Sequence, residues 1–436
     1  MDVAKRSRLV ILGLDGLSLS LARDLAAKGH LPHLSRLVAS EQARPMRAEL
    51  PELSPVNWTS FFTGAGPEEH GVFGFVNLDP RSYRLHLTDA TWVQCPTIFD
   101  RLGEMGLQSR VINLPNTYPA RPIQGMLIAG FVAHDLEHAV HPKMLLPRLR
   151  DEGYKLEADT TRGSRDPEHL LGELHATLES RRRALDLLWP DLAWDLFVLV
   201  LTEIDRLGHF LLPALSDSEN PLHSGCLEVM HHLDRLAGDL LERFDRLPEP
   251  KRLLVLADHG FVPLITEVDL NVWLRQRRML RLFGSQESEL DASVIHPESS
   301  AFALDPGRIY LHTRERFARG GLSAAQAKEL RDSIRRDLLG LRYGGEPVFR
   351  DVLLGEELYP GSRHPMRPDL LCVPRPGFDC KAKFDRSELF GFFGRRGTHC
   401  AEDALFYDSL KESTTSVRDV GRIVLEHFQK PGQIMV

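Results

Sequence analysis

The chain lacks the marks of several protein classes. Its 436 residues include five cysteines, Cys95, Cys226, Cys372, Cys380 and Cys400. They are odd in number, widely spread and form no C-x-x-C pair. Neither a disulfide framework nor a zinc-finger site is indicated, and a reducing cytoplasm is the expected setting. No apolar run reaches the roughly 18 residues of a membrane span. The opening "MDVAKRSRLVILGLDG" places basic residues before an apolar run, as a signal peptide does. That run is short, holds glycine and closes on Asp15, which suits a first β-strand instead. Basic residues are not in excess: 54 Lys and Arg stand against 61 Asp and Glu, for a net charge of −7. This argues against binding a nucleic-acid polymer, which needs a basic footprint, but leaves room for a local anion pocket. Internal repeats and low-complexity tracts are absent too.

What is present is alternation. Continuous apolar runs occur at Arg8–Gly16, Ser109–Pro115, Gly125–Phe131, Trp194–Glu203 and Lys251–Asp258. Such runs suit strands buried on both faces. Helical patterns lie between them, notably Asp166–Trp189 and Cys226–Arg246. The order predicts an α/β fold, a mostly parallel sheet with helices on both faces. Beyond His259 the pattern changes to a smaller α+β unit: strands at Arg308–Thr313 and Pro368–Pro374, and a helix near Ser323–Leu339. The polar stretch from Gly284 to Gly307 reads as irregular loop, an insertion boundary or lid. A last helix spans about Thr414–Phe428. The expected organisation is a catalytic core of 1–265 and 377–436, with 266–376 as an inserted small subdomain.

Open parallel sheets bind ligands at the carboxyl ends of their strands, and the polar residues there carry the chemistry. Asp15 closes the first strand. Asp205 and His209, in "TEIDRLGHF", follow the strand at 194–203. Asp258 and His259, in "ADHG", close another. Ser54, in "ELSPVNWTSFFTG", opens a helix after "MRAELPEL", which reads as a further strand. His399, in "RRGTHC", lies in a late loop. Each piece alone also fits a structural role. A strand-end Asp caps helices, D-x-x-x-H on one helix face makes an ion pair, and "DHG" makes a turn. Ser54 before Pro55 reads as an N-cap. Together, three Asp, three His and one Ser converge at strand ends. Asp/His clusters without Cys suit Zn²⁺ or Mn²⁺ in open coordination. Seven ligands are too many for one ion that keeps an open position. They divide between two ions, which about 4 Å apart can clamp both oxygens of a phosphoryl displacement.

"GLDG", "LSPVNWTSFFTG" with "PEEHGVFGF", "IDRLGH", "ADHG" and "GTH" stand in one order from Arg8 to about Glu402. In that order the chain resembles the alkaline phosphatase superfamily, in its type I phosphodiesterase/nucleotide pyrophosphatase branch. The resemblance implies two divalent cations, Zn²⁺ first and Mn²⁺ as alternative. Asp15, Ser54, Asp258 and His259 would hold one, and Asp205, His209 and His399 the other. It implies Ser54 as the nucleophile of a phosphoseryl route. The substrate would be a small molecule with a phosphodiester or pyrophosphate-type bond. A phosphomonoesterase, phosphomutase or phosphonate hydrolase on the same scaffold is the alternative, and a non-catalytic binding protein the rival from another class. Where the family carries a phosphate-binding Asn after its HG motif, this chain has Phe75, with Asn77 beyond.

Several neighbours have open roles. Asn57 stands one turn into the helix, where it could donate to a phosphate oxygen or serve the loop. Arg206 is expected to point off the face shared by Asp205 and His209. Arg395 and Arg396 could meet an anion or be solvated. Arg181–Arg183 read as the polar face of a long helix, and Trp58 as core. The expected absence of an arginine near Ser54 favours diesters, since monoesters need more charge offset.

Overall fold

The computed structural model describes residues 7–284, 286, 288 and 290–429. They separate into two compact units. One comprises the described residues of Met1–Ala65, Asp89–Pro263 and Gly394–Val436; the other is Gly66–Thr88 with Leu264–Phe393. The smaller unit differs from the expected insert in two respects: it takes in residues 66–88, and it runs on past 376 to Phe393.

The larger unit is built on an eight-stranded sheet. Across it the strands run Arg44–Met46, Ala404–Asp408, Lys251–Leu256, Arg8–Leu14, Leu196–Leu201, Ser109–Leu114, Gly125–Ala129 and Val140–His141. The five from Lys251–Leu256 to Gly125–Ala129 are mutually parallel, and antiparallel strands close both edges. The apolar runs explain this arrangement. All six side chains of Leu196–Leu201 are buried, and burying such side chains contributes roughly 1.5–3 kcal/mol each. Both faces therefore need cover, which the helices Pro167–Leu188, Glu203–Ser216, His223–Asp245 and Val417–Gln429 help to supply.

Register decides where the polar strand ends emerge. Leu14 is level with Leu201, and Gly13 is level with Val200 and Leu256. The residues after these three central strands thus leave the sheet along one edge. Of the stretch Met46–Leu53 expected as a strand before Ser54, only Met46 is in one, at the end of Arg44–Met46; Pro51 removes a ladder donor further on. His399 is not in a loop. It stands on the strand Gly397–Cys400, antiparallel to Gly260–Pro263 and opposite Phe261.

The smaller unit holds an antiparallel sheet ordered Ala301–Leu304, Arg308–Leu311, Leu370–Pro374 and Phe349–Leu354, with the helix Ala324–Leu339. Its core gathers Trp273, Phe302, Tyr310, Phe317 and Ile334. The stretch expected as irregular loop up to Gly307 contains the strand Ala301–Leu304, whose four residues are all buried. No helix among the described residues is long and apolar enough to cross a membrane.

Candidate metal centre

Two groups of three ligand-type side chains form in the larger unit, Asp15–Asp258–His259 and Asp205–His209–His399, each with ligand atoms within 4.8 Å of one another. In the first, His259 Nε2 lies 3.4 Å from Asp258 Oδ2 and 3.8 Å from Asp15 Oδ1. Ser54 Oγ joins it, 3.3 Å from His259 Nε2 and 3.4 Å from Asp15 Oδ1. In the second, Asp205 Oδ1 lies 3.4 Å from His209 Nε2 and 3.3 Å from His399 Nε2. The groups abut: His259 Nε2 is 3.8 Å from Asp205 Oδ1, and the His259 and His399 rings stack with centroids 3.7 Å apart. The structure therefore brings together all seven residues singled out at the strand ends.

Local sequence explains each placement. The helix Glu203–Ser216 starts two residues after its strand, with Asp205 in the first turn and His209 one turn on. That puts both on one face, and the acid near the helix N-terminus is electrostatically favoured. After Asp15 the chain turns at Gly16, with φ of +77°. A Cβ there would lie 2.9 Å from the Phe261 ring and 3.2 Å from the Asp205 Cα, so only glycine fits the close approach.

Each aspartate has one oxygen occupied by a donor and one turned to its group. Trp58 Nε1 donates to Asp15 Oδ2 at 2.8 Å, and the Gly16 N–H to Asp258 Oδ1 at 3.2 Å. Arg206 holds Asp205 Oδ2. Asp205 Oδ1 and Asp258 Oδ2 are buried and make no hydrogen bond. Two histidines are oriented in the same manner through Nδ1, by the Glu52 carbonyl at 2.6 Å for His399 and the Gly260 carbonyl at 3.2 Å for His259. That leaves their Nε2 lone pairs facing inward, the arrangement that orients metal-ligating imidazoles.

The electrostatics point the same way. Burial, with repulsion from Asp258 and Asp205, raises the Asp15 carboxyl well above its usual range. Burial and Asp205 push Asp258 up to about 7. Burial would also raise Asp205, but His209 and Arg206 hold it well below the usual range. Burial and Arg395 lower His209 to about 3, and burial lowers His259 and His399. Neutral imidazoles and crowded carboxylates with unbonded oxygens are a donor set suited to divalent cations.

Four expectations need correction. Leu53, not Ser54, occupies the N-cap position of the helix Ser54–Thr63, and the Ser54 hydroxyl caps nothing; it faces the first group instead. Asn57 is fully occupied: its amide nitrogen donates to the carbonyls of Glu49 and Leu53, and its oxygen accepts from the Glu49 N–H. It holds a loop and has no hydrogen left for a phosphate. Arg206 does not point away. Only 13% of its side chain is exposed, and it bridges Asp205 and Glu157. Arg181 is wholly buried, donating to the carbonyls of Lys155 and Leu156. The sequence reading missed Trp58, taken as core, and the backbone groups of Glu52, Gly16 and Gly260. Trp58 had one signal, its place a turn beyond Ser54; backbone partners leave none.

The sequence pattern of the family described as type I phosphodiesterase/nucleotide pyrophosphatase matches residues 9–398. No curated protein matches the chain by sequence. Among solved structures, phosphonoacetate hydrolase from Sinorhizobium meliloti, in complex with phosphonoformate, superposes with a TM-score of 0.64 at 17% identity, over 97% of this chain and 95% of that one. Murine ectonucleotide pyrophosphatase/phosphodiesterase 5 gives 0.57 at 13% identity, over 98% and 97%. The human counterpart gives 0.56 at 12%, over 97% and 95%. These likenesses carry the fold, and the sequence match over residues 9–398 carries the family: the chain belongs to the type I phosphodiesterase/nucleotide pyrophosphatase family, within the alkaline phosphatase superfamily.

Proposed function

We propose that the protein is a phosphoryl-transfer hydrolase that uses Ser54 as nucleophile and two divalent cations, zinc first and manganese as alternative. Asp15, Ser54, Asp258 and His259 would hold one cation, and Asp205, His209 and His399 the other. Bound there, the cations would supply Lewis acidity, lowering the pKa of a hydroxyl or water and offsetting phosphoryl charge. The observation that carries this reading is the position of Ser54 Oγ, 3.3 Å from His259 Nε2 and 3.4 Å from Asp15 Oδ1. The hydroxyl also stands in the first turn of the ten-residue helix Ser54–Thr63, whose positive end favours an anion.

The chain's own residues would divide the work as follows. Ser54 Oγ, its proton lost to solvent, would form the new bond to phosphorus as the leaving oxygen departs in line, with the bonding pair, and takes up a proton. Water then breaks the phosphoseryl P–O bond and frees the enzyme, so two displacements retain configuration at phosphorus. Trp58 and the Gly16 N–H hold the two aspartates of the first group with one oxygen inward, and the Glu52 and Gly260 carbonyls hold His399 and His259. Substrates would be small molecules with a phosphodiester or pyrophosphate-type bond. Ser54→Ala should abolish turnover of bis-p-nitrophenyl phosphate with zinc or manganese while leaving the circular dichroism spectrum intact. Unchanged turnover in that variant rejects the phosphoseryl route.

A further inference from the structure

Among the three histidines of the centre, His209 is the exception. His399 and His259 present Nδ1 to a carbonyl, an acceptor. His209 Nδ1 lies 3.3 Å from Nη1 of Arg395, whose guanidinium can only donate. For that contact His209 must accept through Nδ1, which places its proton on Nε2. Yet Nε2 is the atom that faces Asp205 and His399. Once Nε2 gives its lone pair to a cation, the proton of a neutral imidazole sits on Nδ1, and two donors then oppose each other. The ring cannot escape by turning easily. It packs edge-on against Phe261 with centroids 4.9 Å apart and close to His399 at the same spacing. The backbone beside Arg395 is pinned as well, by the Arg396 N–H donating to the His209 carbonyl at 2.7 Å. Of the two opposed donors, the long Arg395 side chain is therefore the one that has to turn aside. Its two neighbours, Gly394 and Arg396, line a cavity of about 460 Å³ together with Ser164, Phe210 and Asn220.

We propose that Arg395 is an anion clamp released by cation binding. It caps His209 Nδ1 while Nε2 carries the proton, and turns toward an anionic group of the substrate when Nε2 becomes a ligand. This rests on the hydrolase reading above and narrows it. The substrate carries negative charge beside the Asp205–His209–His399 group, as a pyrophosphate or a diester with an anionic leaving group does. A planar guanidinium meets phosphate or carboxylate oxygens with two parallel hydrogen bonds.

The test measures binding, not turnover, on the full chain. Zinc affinity is read by chelator competition, and inorganic phosphate affinity of the zinc-loaded protein by calorimetry, for wild type, Arg395→Gln and Arg395→Lys. Arg395→Gln should bind the second zinc about tenfold tighter, because no cation has to be displaced, and phosphate about tenfold weaker. Arg395→Lys should keep part of the phosphate affinity. Unchanged zinc affinity in Arg395→Gln overturns the coupling, and unchanged phosphate affinity overturns the clamp. A wild type that takes up no zinc rejects this proposal and the metal centre together. A chain that shows both expected shifts but hydrolyses nothing refutes the hydrolase reading alone.

Discussion

Arg206 gives the sharpest test of how the second group is held. Its guanidinium reaches Asp205 Oδ2 and, at 3.1 Å, Glu157 Oε2, and lies 4.8 Å from the centroid of the Phe131 ring. Arg206→Met keeps the length of the stem and removes the charge. Asp205, 2% exposed, then loses its fixed counter-charge, while Glu157, at 19%, is better screened by solvent. Breaking one side of a buried ion pair costs about 3–5 kcal/mol. With one partner near solvent, the lower end, about 3 kcal/mol, is the expected loss of stability. Excess zinc should shrink that loss, because a dication at Asp205 Oδ1 supplies the missing charge. By linkage, the stability recovered reappears as tighter zinc binding to the variant, about tenfold for each 1.4 kcal/mol. Loss of orientation at Asp205 opposes this, but Asp205 sits in the first turn of the helix Glu203–Ser216, which already aims it. The assay is urea unfolding of wild type and variant, with a chelator and with excess zinc. An equal loss in both conditions refutes the idea that Arg206 and the cation share Asp205. No loss in either refutes the buried pair itself.

Three further predictions rest on the same geometry. Asp258 is raised to about 7, so below that pH a proton competes for its carboxylate. Zinc affinity should climb as pH rises from 5.5 to 7, by up to about tenfold per unit for each proton displaced from Asp258 and from Asp15, whose carboxyl burial also raises. His209, lowered to about 3, stays neutral across that window and adds no proton. In the protein without cation, the raised Asp258 binds more protons folded than unfolded. Its contribution to stability therefore falls as pH rises from about 4 toward 7, and calorimetric titrations in buffers of different ionisation heat will count the protons. For Asn57→Ala, the three hydrogen bonds to the backbone of Glu49 and Leu53 predict a stability loss of about 1–3 kcal/mol, with KM unchanged. A raised KM without loss of stability restores Asn57 as a phosphate contact.

Much of the fold was legible because burial on both faces leaves a blunt signal. Strands such as Leu196–Leu201 are uninterrupted apolar runs, and the helices Pro167–Leu188 and His223–Asp245 lie within a few residues of their expected spans. Misreadings fell where local pattern competes with long-range pairing. Ala301–Leu304 is a strand because Arg308–Leu311 pairs with it, and His399 is on a strand because Gly260–Pro263 lies opposite. Arg181 and Arg206 misled for a related reason. A charged side chain reads as solvated unless its buried partner is known, and those partners are distant carbonyls and Glu157.

The sequence by itself determined which groups could ligate or attack, since Asp, His and Ser at the ends of apolar runs carry their chemistry wherever they sit. It determined too that Asp205 and His209 share a helix face, because a four-residue spacing is a local matter. Only the tertiary structure decided that Ser54 faces His259 and Asp15 and caps nothing, that Asn57 is spent on a loop, and that His209 meets a donor where its two companions meet acceptors. Those outcomes depend on contacts between residues as far apart as Glu52 and His399. The register of parallel strands and the packing of rings fix such contacts, and no spacing along the chain encodes them.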